Sequence, residues 1–198
     1  CLLLAGLYAD GPTILVEPVR SRDHTERMMT LFGADIECRG RTVCVQPSSL
    51  RTPGVVDVPG DISSAAFFLA LGALLSGNRS LTVHDMGINP TRDGFLKLLR
   101  KMGTSCRCRQ HKESVFEPRA DITVRPSALH GVTVEGAMLP SMIDELPLVF
   151  VLGAFATGRT VIRGVRELRV KETDRIESMA YNLRAMGADV DVRSYREP

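Results

Sequence analysis

The sequence predicts an α/β fold assembled from one supersecondary unit used three times. Apolar runs at helical spacing alternate with short β-rich stretches, and each recurrence is marked by a Gly turn and closed by a second Gly. The turn reads Asp10-Gly11-Pro12-Thr13-Ile14-Leu15-Val16, then Ser76-Gly77-Asn78-Arg79-Ser80-Leu81-Thr82-Val83, then Thr157-Gly158-Arg159-Thr160-Val161-Ile162. The closing signature is Phe32-Gly33-Ala34-Asp35, matched by Met102-Gly103-Thr104-Ser105 and Met186-Gly187-Ala188-Asp189. Gly11 to Gly33, Gly77 to Gly103 and Gly158 to Gly187 are separations of 22, 26 and 29 residues. Gly after the last apolar residue ends a helix, because the left-handed conformation costs nothing without a Cβ.

The elements follow in order. Cys1 to Leu7 is an apolar helical run, and Thr42-Val43-Cys44-Val45 alternates as a half-buried strand does. Arg51 to Gly60 holds Gly-bounded turns and no helical pattern, which marks a junction. Ile62 to Asn78 is uncharged over 17 residues. A bilayer needs about 20 mostly apolar residues, so a buried helix is expected there and no membrane partner. Phe95, Leu98, Leu99 and Met102 form one helical stripe, and Ile176, Met179, Leu183 and Met186 another, with Met as core filler. Arg107 to Ala120 reads as a surface loop or hairpin. An apolar helix is expected over Leu148 to Ala156, and a final strand over Asp189-Val190-Asp191-Val192.

Composition excludes whole classes. Hydrophobic residues are 44% of 198 and charged residues 24%, the balance of a globular chain. A net charge of +2 gives no electrostatic footprint for nucleic acid. Five cysteines without C-x-x-C spacing and four scattered histidines predict free thiols, no zinc site and a reducing, cytoplasmic setting. No P-loop, G-x-G-x-x-G or G-x-S-x-G motif occurs. The chain starts at Cys1 inside an apolar run and stops at Pro198 after a strand-like stretch, and it reads as an internal piece of a longer protein.

Charge gathers where the second helices begin. Ser21-Arg22-Asp23 and Thr91-Arg92-Asp93 carry ordinary capping chemistry. Lys171-Glu172-Thr173-Asp174-Arg175 departs from it, since cations oppose the helix dipole at an N-terminus. With Lys171 and Arg175 at i, i+4 and Glu172 three before Arg175, the segment reads as either an anion site or a solvated salt-bridge face. Ser141 and Asp144 match a capping box before the apolar helix. Alternatively, Asp144 stands at the edge of low dielectric, where its pKa would move up toward that of a general base. Gly60-Asp61-Ile62-Ser63-Ser64 repeats the pattern in the second unit.

These blocks, with Leu2 to Leu7, Ser21 to Arg27, Ile143-Asp144-Glu145-Leu146-Pro147 and Leu168 to Arg175, resemble the EPSP synthase family, bacterial type, over essentially the whole chain. The resemblance implies a two-domain fold of repeated βαβαββ units, an inside-out α/β barrel, of which this piece covers about half. It places the end of the first domain at 1–58 and most of the second at 59–198. It implies transfer of the enolpyruvyl group of phosphoenolpyruvate to the 5-hydroxyl of shikimate 3-phosphate, without metal or organic cofactor, by an enzyme that is monomeric when complete. By the same resemblance Asp144 is the catalytic base beside shikimate 3-phosphate. Lys171 and Ser21 bind that substrate, Glu172 moves a proton at the enolpyruvyl methylene, and Arg175 grips phosphoenolpyruvate. Glu167 stands where some members place Asn. Further clamp residues fall outside this sequence, so the piece alone is expected not to turn over. The competing readings are a UDP-N-acetylglucosamine enolpyruvyl transferase and a non-catalytic repeat module that binds phosphorylated metabolites.

Overall fold

The structure is a computed structural model that describes residues 1–111 and 116–193. The first unit runs α1 (Leu2–Gly6), β1 (Thr13–Val16), α2 (His24–Leu31), β2 (Ile36–Arg39) and β3 (Thr42–Val45). Strand β3 lies between β1 and β2 and is antiparallel to both, so β1 and β2 run parallel with α2 as their crossover. Alternation decides which face is covered. Val43 and Val45 point inward onto Leu3, Leu7 and Met29, while Ile14 and Val16 of β1 stay exposed.

The second unit repeats this topology: α3 (Ile62–Leu74), β4 (Leu81–Gly87), α4 (Gly94–Lys101), β5 (Ser105–Gln110) and β6 (Arg119–Arg125), in the order β4-β6-β5. All four residues of the α4 stripe are fully buried. The Arg107 to Ala120 stretch is the hairpin reading, built from β5 and β6; residues 112–115 lie outside the described residues. Strand β4 bulges between Val83 and Met86, and Asp85 there takes φ 59°, the left-handed region. Its N–H donates to the Asp121 carboxylate at 3.1 Å, which satisfies the turn.

The third unit holds β7 (Thr133–Val134), a 3-10 segment over Gly136–Glu145, α5 (Leu146–Phe155), β8 (Val161–Ile162), a second 3-10 segment over Arg166–Val170, and α6 (Arg175–Ala185). Strands β7 and β8 pair in parallel. Just ahead of β7, Gly131 passes so close to Arg159 that a Cβ would sit 2.4 Å from its carbonyl oxygen and 2.7 Å from its nitrogen. The three closing glycines, Gly33, Gly103 and Gly187, all have positive φ (80°, 97° and 88°), as helix-ending glycines should.

Two expectations fail here. Residues 189–192 form no strand, because no described strand runs beside them to pair; the Val190 carbonyl instead accepts from the Arg184 guanidinium at 2.9 Å. Met186 is 75% exposed, since α6 ends at Ala185 and the burial is carried by Ala180 and Leu183. The continuous stretch Gly136–Phe155 has the length and hydropathy of a membrane span. It breaks at Met142 (φ −151°), carries Asp144 and Glu145, and packs Leu146, Val149 and Leu152 into the protein core.

The apolar interior is divided in two. One cluster gathers Leu3, Leu7, Met29, Val43 and Val45. The larger one joins α3, α4, β6, α5 and Leu168. Between them residues 51–59 have neither helix nor strand. This crossover is fastened by Arg119, which reaches both Asp57 and Asp85, and by the Gly60 N–H donating to the Asp85 carbonyl at 2.8 Å.

Candidate functional site

Asp144 and Glu145 close the 3-10 segment just before α5, one exposed and the other buried. Asp144 is exposed and meets Arg22, whose Nη2 lies 2.5 Å from Oδ2. Arg22 sits in the connection between β1 and α2, so this ion pair joins the first unit to the third. The Arg22 hydrogen bond holds the Asp144 carboxyl below its ordinary value, and Arg92 and Lys171 add to the effect through space. The expected rise toward neutrality is therefore corrected: the apolar helix begins behind Asp144, but two-fifths of its side chain faces solvent among cations. Nor does it form a capping box, since the Ser141 hydroxyl donates to the Met138 carbonyl at 2.8 Å.

Glu145 is the buried member, only 3% exposed. Burial pushes its carboxyl up, opposed by the hydrogen bond from Ser63 and the field of Arg92. Arg92 donates to the same Ser63 hydroxyl and lies 3.5 Å from Asp61, which caps α3 by accepting from the Ser63 and Ser64 N–H groups. Residues before three helices thus meet in one polar cluster. Sequence reasoning missed Arg22, Arg92 and Glu145. The usable signal was the Arg that recurs between Ser/Thr and Asp in the first two units.

At the third helix start, Asp174 accepts from the Ile176 and Glu177 N–H groups at 3.0 and 3.1 Å, and this capping fixes Arg175 as the first helical residue. Lys171 therefore lies outside the helix, at the end of the preceding 3-10 segment, and the expected shared helical face with Arg175 does not exist. The Glu172 pairing does: Arg175 Nη2 stands 3.0 Å from Oε2. Lys171 Nζ lies 2.9 Å from Glu167, so Glu167 takes part as a partner of the lysine. The Glu172 carboxyl is lowered by a backbone hydrogen bond, then by Arg175 and by Lys171.

Ser21 is exposed and its hydroxyl and N–H both donate to Glu17. It does not cap α2, whose N-cap is Asp23, and Thr91 likewise does not cap α4 but bonds Asn89. Asp23 is held low against burial by Arg27, Asn89 and Arg20. The geometry brings Asp144, Lys171 and Arg22 into one electrostatic neighbourhood, with Ser21 next to Arg22 in the chain. Glu172 and Arg175 continue it through Lys171. Such an arc can hold a phosphorylated anion, with the exposed carboxylates of Asp144 and Glu172 along it.

Comparison with known proteins gives a consistent result. The family model described as EPSP synthase (3-phosphoshikimate 1-carboxyvinyltransferase) matches residues 1–196. A relative named 3-phosphoshikimate 1-carboxyvinyltransferase from Anaeromyxobacter sp. (strain Fw109-5) is 52% identical over 190 residues, 96% of this chain and 44% of its own length. One of the same name from Syntrophotalea carbinolica is 51% identical over 97% of this chain and 44% of its own length. A solved EPSP synthase from Acinetobacter baumannii superposes with TM-score 0.86 at 41% identity, over 94% of this chain and 42% of that one. The enolpyruvyl transferase NikO from Streptomyces tendae gives TM-score 0.63 at 27% identity, over 81% of this chain and 37% of that one. The chain spans somewhat under half the length of the relatives it matches.

Proposed function

The chain belongs to the EPSP synthase family, and from that premise we propose that it forms part of an enzyme moving the enolpyruvyl group of phosphoenolpyruvate onto the 5-hydroxyl of shikimate 3-phosphate, with release of phosphate. The observation that carries the reading is Asp144, an exposed carboxylate within the fields of Arg22, Arg92 and Lys171. Addition of a hydroxyl across the donor's double bond needs a base for the hydroxyl proton and an acid for the methylene carbon. Asp144 is the base. Glu172, seated between Lys171 and Arg175, moves the proton at the methylene; those cations hold its carboxyl low, and it takes up the proton it delivers once the anionic substrates engage them, recovering it as phosphate leaves. Lys171 and Ser21 hold the acceptor, Arg175 holds the donor, and Glu167 orients Lys171.

Arg22 gives this arrangement an order of events. While it lies on Asp144, the carboxylate is a weak base. A phosphorylated acceptor offers the guanidinium a doubly charged partner, and Asp144 becomes more basic as the acceptor settles. Residues 1–58 and 59–198 act as two domains, bridged by the Arg22–Asp144 pair; their separate apolar cores support that division.

The test uses the complete enzyme, this chain within its full reading frame. Phosphate release should require both substrates, and Asp144→Asn should lower turnover by about 10²–10⁴-fold while the circular dichroism spectrum is kept. Turnover within a few-fold of the parent would remove the base assignment. Release supported by UDP-N-acetylglucosamine in place of shikimate 3-phosphate would favour the sister reaction, and binding of both ligands without release would favour a binding module.

A further inference from the structure

Five thiols are present and none is paired. Cys106 and Cys108 occupy alternate positions of β5, so both point to the face covered by α4. Arg100, in the last turn of α4, lies across them. Its Nε donates to the Cys106 carbonyl at 3.1 Å and its Nη2 reaches the Cys108 sulfur at 3.0 Å. The guanidinium is thus fixed by one bond and presented to Cys108 by another, on an edge strand of the β4-β6-β5 sheet. Both thiols remain partly accessible.

We propose that Cys108 is a modification site: a thiolate that attacks low-molecular-weight disulfides carrying carboxylates and retains half of the reagent as a mixed disulfide. The sulfur anion attacks one sulfur of R–S–S–R, the new bond joins Cys108 to that half, and the other half leaves as R–S⁻. No electrons enter or leave the pair, so no further oxidant is required.

Three physical features direct the reaction to Cys108. The neighbouring Cys106 thiol lowers its pKa, with Arg100 acting in the same direction against burial and the negative charge of Asp93. Asp93 is itself 2.6 Å from Lys97, which weakens that opposition. Cys106 is raised in turn by the same bond and by burial, so it remains a thiol and a donor. The Arg100 guanidinium at Cys108 is a cation that suits a reagent with carboxylates. Finally, Cys106 keeps its proton, and a protonated thiol is a poor nucleophile, so it does not displace the adduct.

Cys38 provides the contrast. It is more exposed, but its thiol is raised by burial of the sulfur and by Glu26. Accessibility alone would modify Cys1 and Cys38 first; the geometry of β5 and α4 puts Cys108 first.

The chain is treated with limiting 5,5′-dithiobis(2-nitrobenzoic acid) or oxidised glutathione, and the modified peptide is identified by mass spectrometry. Cys108 should carry the first equivalent. Its rate should fall several-fold less between about pH 8 and about pH 6.5 than that of an ordinary thiol, which slows more than about tenfold. In urea the preference should vanish. Arg100→Gln should slow Cys108 and restore an ordinary pH profile, and Arg100→Lys should recover most of the rate. First labelling of Cys1 or Cys38 in the folded chain, or an unchanged Cys108 profile in a folded Arg100→Gln variant, would overturn the proposal.

Discussion

Asp144 and Glu145 are consecutive carboxyls whose environments displace their pKa values in opposite directions. One faces Arg22 and is lowered; the other is buried against Ser63 and is raised. The raised one makes a prediction about stability. Above an ordinary carboxyl value of about 4.3, the folded form binds the Glu145 proton more tightly than the unfolded chain does. Stability therefore rises as pH falls through the raised value and the gain is complete below the unfolded one. Glu145→Gln keeps an acceptor for Ser63 but cannot titrate. Urea midpoints measured from pH 7 downward should show the parent gaining on the variant as pH falls. Parallel curves would mean that burial costs this carboxyl nothing. Asp144 was legible as a candidate because an acid before an apolar helix is visible in one dimension. Its partner was not, because Arg22 is 122 positions away and only the folded chain brings it there.

Among the elements, helices α3 and α5 were readable as apolar runs, and α4 most fully, from the spacing of its stripe. Leu98 is fully buried on its stripe, so Leu98→Ala should cost about 2–5 kcal/mol by urea unfolding. Met186→Ala, placed on an equivalent stripe by sequence, should stay within about 0.5 kcal/mol, because the side chain lies in solvent. A larger loss at Met186 would show that α6 extends its buried face beyond Leu183. Spacing predicted both stripes equally well; only the packing partner distinguishes them. Helix starts were misjudged for a related reason. The capping side chain at α6 is Asp174, three residues beyond Lys171, and neither propensity nor charge pattern separates the two positions.

For the whole molecule, the repeat was the legible part, and two of its three copies share the same strand order. The fastening of the copies was not. Asp57 of the crossover is held by Arg119, which also holds Asp85 at the bulge of β4. Arg119→Gln should loosen residues 51–59, and limited trypsin digestion should cleave after Arg51 several-fold faster than in the parent while the cores stay protected. An unchanged cleavage rate would assign the fastening to the Gly60 backbone bonds alone. Not every contact in this fold can be exchanged for another. Where Gly131 crosses the backbone of Arg159, the obstacle is main chain, which no neighbouring substitution can trim. Side chains around the crossing can be exchanged for others, but a methyl group placed on Gly131 would meet backbone atoms that every amino acid carries, so it could be accommodated only by moving the main chain itself.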